Sequence, residues 1–151
     1  MVWRRKLISA AALAALCASS SAASAAIKPG KYCSRDALTT SSGDDLGEAT
    51  ADAEIRRAGS ALTLSFSNSM PDSGQDVDIG TVQLRPAPKG GFNFRFKDNW
   101  GADGVGTLKP IRTGIRVDIE RTGKASDGWG DNAGRNYGVT DLRRAPCRSS
   151  R

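Results

Sequence analysis

The chain has 151 residues, with 22 Lys and Arg against 16 Asp and Glu, three Cys, 17 Gly and no His. Its length suits one domain, and 38% hydrophobic with 25% charged residues excludes a collagen-like repeat or an acidic disordered tail. The missing His excludes Ser–His–Asp and Cys–His catalysis, His-x-Glu deaminase chemistry and His-based zinc sites.

Residues 1–25 read as a secretory signal peptide, and 26–151 as a single β-rich domain. Arg4, Arg5 and Lys6 form a positive start, Leu7 to Ala18 an apolar run, and Ala23-Ser24-Ala25 an A-x-A cleavage pattern. The run is shorter than the ~20 residues a spanning helix needs. No second run is long enough, so no transmembrane segment is expected after cleavage. Cys17 follows Leu16 rather than Gly, Ala or Ser, which argues against a lipid-acceptor cysteine. Cleavage after Ala25 leaves 126 residues, with 19 basic against 16 acidic and a net charge of +3. It also leaves only Cys33 and Cys147, a pair that in an exported chain is expected to form a disulfide joining the two ends of the domain. The expected location is periplasmic or secreted.

All 17 Gly lie beyond residue 25 and separate short segments. Tyr32 to Ala37 is a candidate first strand, followed by a polar loop from Thr39 to Asp45. Glu48 to Arg57 has two readings. Ala49, Ala51, Ala53 and Ile55 alternate as in a strand, whereas Leu46, Ala49 and Ala53 have helical spacing with Gly59 as a stop; strand is favoured. Leu62, Leu64 and Phe66 alternate with polar residues and follow a turn at Ala58-Gly59-Ser60. Val77 and Ile79 alternate in one phase, Val82 and Leu84 in the other, which places a β-bulge at Gly80-Thr81. Phe92, Phe94 and Phe96 alternate as in a half-buried antiparallel strand, as do Ile115, Val117 and Ile119. Val105 to Lys109 and Asn136 to Arg143 complete the set. Seven or eight strands 8–14 residues apart predict an all-β fold, a small antiparallel β-barrel of up-and-down or lipocalin-like type, with a β-sandwich as the alternative.

Two loops echo one another. Asp98-Asn99-Trp100-Gly101-Ala102-Asp103-Gly104 shares Asp-x-Trp-Gly with Asp127-Gly128-Trp129-Gly130-Asp131-Asn132. One reading is two turns made of turn-forming residues, each with its Trp folded onto the core. The other is a binding site in which Trp100 and Trp129 stack on a sugar or anchor a protein. Asp98, Asn99, Asp103, Asp127, Asp131 and Asn132 would then hydrogen-bond the ligand, with Arg135 and Tyr137 at the rim. The second loop is rich in oxygen ligands, but Trp129 and Ala133 fall where an EF-hand needs ligands and no Glu closes it. No metal or other cofactor is expected.

Gly-x-Ser-x-Gly, Ser-x-x-Lys and P-loop patterns are absent. A carboxylate pair alone would serve a glycosidase, but most acidic residues sit in turns or beside basic ones. No enzyme activity is expected. Arg143, Arg144, Arg148 and Arg151 cluster near the end; a solvated tail explains them, and no nucleic-acid partner is expected. In size and organisation alone the chain is similar to small secreted β-domains such as periplasmic lysozyme inhibitors, immunity-type proteins and lipocalin-like binders; no family-specific motif is present. The leading expectation is an exported, non-catalytic binding domain of the cell envelope, of inhibitor or immunity type, with a protein partner. Its alternatives are a glycan or small-molecule binder using the Trp loops, and a structural envelope protein. The oligomeric state is left open.

Overall fold

The computed structural model describes residues 26–71, 75–123 and 136–147. These residues form eight strands: β1 (Gly30–Thr39), β2 (Asp45–Ala58), β3 (Ala61–Met70), β4 (Gln75–Pro86), β5 (Phe92–Lys97), β6 (Asp103–Ile111), β7 (Gly114–Arg121) and β8 (Asn136–Arg144). Each strand pairs antiparallel with the next, and β8 returns to β1, giving a closed up-and-down barrel rather than a sandwich. No helix occurs among the described residues.

Glu48 to Arg57 is strand, as favoured. Ala51, Ala53 and Ile55 are buried with exposed or half-buried residues between them, while Leu46, needed for a helical stripe, is exposed. The two-residue period wins because both neighbours pair along this segment: Ala53 lies opposite Tyr32 on one side and Phe66 on the other. The expected bulge is also present. Ser65 opposes Thr81 but Ser67 opposes Asp78, leaving Ile79 and Gly80 across from Phe66. Gly80 takes a φ of 62°, open to glycine at little cost. One extra residue therefore turns Val77, Ile79, Val82 and Leu84 all inward, and all four are buried.

The described interior is filled. Ile55, Leu64, Leu108, Ile115, Val117, Ile119 and Leu142 are fully buried, each contributing roughly 1.5–3 kcal/mol by leaving water. Phe94 and Phe96 lie opposite Gly106 and Gly104, and a Cβ on either glycine would land in the facing ring. The two glycines make room for the two rings, whose centroids are 6.3 Å apart. Among the described residues, the inward faces of the strands pack large apolar side chains against one another.

Two seams are zipped over short stretches. β4 meets β5 only through Arg85–Asn93 and Pro86–Phe92. β1 meets β8 through Tyr32–Arg144 and Cys33–Arg143, with the Ala145 N–H donating to the Lys31 carbonyl at 2.9 Å just beyond. The Cys33–Cys147 disulfide lies on that second seam, its Cα atoms 5.9 Å apart, and it links the two ends of the described domain as expected.

Candidate functional site

Up-and-down connectivity puts Lys97, Asp103, Arg121 and Asn136, the strand ends flanking the two Trp loops, at one end of the barrel. The first loop is a tight turn between β5 and β6, organised by Asp98. One Asp98 carboxylate oxygen accepts the N–H groups of Trp100 at 3.0 Å and Ala102 at 2.8 Å. The other accepts the Arg121 guanidinium through Nε at 3.1 Å and Nη2 at 2.7 Å. The Asp98 side chain is 0% exposed and that of Arg121 7%. Arg121 follows Ile115, Val117 and Ile119 on the inward face of β7, so the ion pair closes the apolar core at this end.

Asn99 acts across the β4–β5 seam. Its backbone N–H donates to the Asp78 carbonyl at 2.8 Å. Its side-chain oxygen accepts the Asp78 N–H at 3.0 Å, and its amide donates to the Asp76 carbonyl at 3.2 Å. One side chain thus substitutes for the strand pairing that β5 does not make there. Trp100 reaches the same strand, its indole N–H donating to the Asp76 carbonyl at 2.8 Å. Its ring is nonetheless 39% exposed, the most open of the aromatic rings for which burial is described. Asp103, at the start of β6, is exposed and pairs with Lys97 at 3.2 Å.

The structure therefore gathers Asp98, Asn99, Trp100 and Asp103 into one turn, with unequal roles. Asp98 and Asn99 hold the turn to β7 and β4. The Trp100 ring and the Asp103 carboxylate face outward. Asp127, Trp129, Asp131, Asn132 and Arg135 lie outside the described residues. Tyr137 belongs to β8 by its backbone, and its side chain is likewise outside the description. Among the described residues no group of three His, Cys, Asp or Glu side chains is placed to hold a metal ion.

No family model, curated protein or solved structure matches this chain.

Two concavities lie away from the Trp100 turn. A cleft of about 770 Å³ follows the β1–β8 seam past the disulfide, lined by Ser34 and Asp36 on one side and Thr140 and Asp141 on the other. A groove of about 690 Å³ crosses the outer face of β4–β7. Its lining includes Arg85 and Arg95 at one wall, Asp118 and Glu120 at the opposite wall, and Val105 and Thr107 between. Sequence reasoning missed this groove. Alternation in each strand shows that these residues point outward, but only the register across four strands brings them onto one surface.

Proposed function

We propose that this chain is an exported, non-catalytic binding protein that engages a protein partner with the barrel end bearing Trp100. The carrying observation is the exposed Trp100 ring on a turn pinned by six hydrogen bonds that join Asp98, Asn99 and Trp100 itself to Arg121, Asp78 and Asp76. A large apolar ring held rigid before binding loses little conformational freedom on association, the property of a protein hot spot. The same bonding pattern supports a protein partner over a glycan. Sugar recognition needs several polar groups aimed at hydroxyls, and the side chains of Asp98 and Asn99 are engaged by Arg121 and by the β4 backbone, leaving Asp103 as the outward carboxylate of the turn.

The apolar cluster inside the barrel supports a site on the outside, and no helix among the described residues is long and apolar enough to cross a membrane. The amino-terminal signal pattern and the disulfide support export.

The test is affinity capture from envelope and secreted fractions of the producing cell, followed by inhibition assays against cell-wall hydrolases. The intact protein is expected to retain a stoichiometric partner, and Trp100→Ala to bind it roughly 10- to 100-fold more weakly while unfolding as cooperatively as before. Equal capture by both proteins, or none by either, would overturn the proposal. A Trp emission change with millimolar sugars and no captured protein would replace it with the glycan reading.

A further inference from the structure

The outer groove of β4–β7 carries its charges as two walls of opposite sign. Two opposite-charge pairs elsewhere on the outer surface sit directly across strands, Lys97 with Asp103 at 3.2 Å and Arg116 with Asp141 at 2.6 Å, although Lys109 also lies opposite Arg116. In the groove the signs are segregated instead. Arg85 and Arg95 stand together on β4 and β5; Asp118 and Glu120 stand together on β7. All four are exposed, and among the described residues none of their side chains has a hydrogen-bond or ion-pair partner.

The register shows what the segregation suits. Arg95, Val105 and Glu120 form one row across β5, β6 and β7. Arg85, Asn93, Thr107 and Asp118 form the adjacent row across β4 to β7. At about 4.8 Å per strand, Arg95 and Glu120 lie symmetrically one strand either side of β6. Arg85 lies two strands from β6 and Asp118 one, an offset of about 5 Å that a long Arg side chain can span.

We infer that this face is a two-fold, self-complementary surface that binds a second copy of the chain. A two-fold axis in the plane of contact, running along β6, exchanges the two walls while keeping each row at its own height. Arg95 of one copy then meets Glu120 of the other, and Arg85 meets Asp118, each contact occurring twice, as an isologous interface requires. A residue on such an axis meets its own copy, so a charge there would repel itself. Within the groove the outward β6 positions are Val105 and Thr107, both uncharged, while the outward charges of β6, Asp103 and Lys109, lie beyond its two ends. The sign, the row and the neutral centre thus all fit one occupant, the chain itself. Because the contact rests on exposed charges it is weak and salt-sensitive.

Sedimentation of the purified protein tests this directly. Association is expected near 0.01 M ionic strength, where the screening length is about 30 Å, and dissociation near 1 M, where it is about 3 Å. The variant Arg85→Glu/Arg95→Glu has two acidic walls, and Asp118→Arg/Glu120→Arg two basic ones. Each is expected to remain a monomer alone, and their equimolar mixture to form a one-to-one heterodimer at low salt. The neutral variants Arg95→Gln and Glu120→Gln, which barely perturb an exposed strand face, should each weaken self-association. A monomeric wild type at low salt would sink the inference. So would neutral variants that associate as well as the wild type, or charge-reversed variants that fold, shown by unchanged far-ultraviolet dichroism, yet fail to combine.

Discussion

At the scale of single residues, Asp98 and Trp100 read alike in the sequence, as neighbours in a polar glycine-containing loop, and the fold separates them. Nothing local announces that the Asp98 carboxylate is buried, because its partner Arg121 lies 23 positions away on another strand. Removing one member of a buried pair leaves the other charge without compensation, which costs about 3–5 kcal/mol. Asp98→Asn is therefore expected to destabilise by that order, as is Arg121→Leu. The double variant is expected to lose less than either single one. It has no buried charge, and the asparagine oxygen still accepts from the Trp100 and Ala102 N–H groups. Urea unfolding with an unchanged slope measures all three, and additive losses would mean that the pair is not the coupled unit the geometry describes. The sequence did single out this turn; what it could not supply was which side chains hold the turn and which face outward.

At the scale of strands, legibility was high because alternation is a local signal. Phe92 to Phe96 and Ile115 to Ile119 each declare a buried face without reference to any partner. The phase change between Ile79 and Val82 even located the bulge at Gly80. Pairing partners are another matter, since register joins residues far apart in sequence, and the outer charge rows follow from register alone. One rung of that surface has a measurable signature. Arg116, hydrogen-bonded across β7–β8, holds the Asp141 carboxyl below its usual 3.8, and Asp141 in turn raises the guanidinium of Arg116. A carboxyl that is more acidic when folded binds protons more readily when unfolded. Its stabilising effect is present above the usual carboxylate value and is lost as pH falls through the folded one. Asp141→Asn should therefore lower the urea midpoint near neutral pH and matter progressively less as the pH falls below the usual carboxylate value. A gap between the two proteins that stayed constant across this range would show that the pair contributes nothing through ionisation.

At the scale of the whole molecule, closure of the barrel rests on little strand pairing. β6 pairs with β7 over eight positions, from Gly104 to Ile111, whereas β1 and β8 share two. The last strand is docked onto the first by two rungs, one further backbone hydrogen bond and the Cys33–Cys147 bond, which closes a loop of 114 positions. The cysteine count had already implied the bond; that it staples one of the two short seams became visible only once both strands were placed. In the chain-entropy account a loop this long restricts the unfolded state by roughly 4–5 kcal/mol. Replacing both cysteines by Ser is expected to lower global stability by about 2–5 kcal/mol. The loss should also be uneven. With the staple gone, β1 and β8 can separate while β5, β6 and β7 keep their ladders, a partial opening of the kind that native-state hydrogen exchange detects. Exchange in the Cys33→Ser/Cys147→Ser protein should accelerate most at the amides of Lys31, position 33, Arg143 and Ala145, which face the β1–β8 seam, and least from Gly104 to Leu108. Uniform acceleration across all strands would mean that the barrel opens only as a whole, with the disulfide acting solely on the unfolded chain.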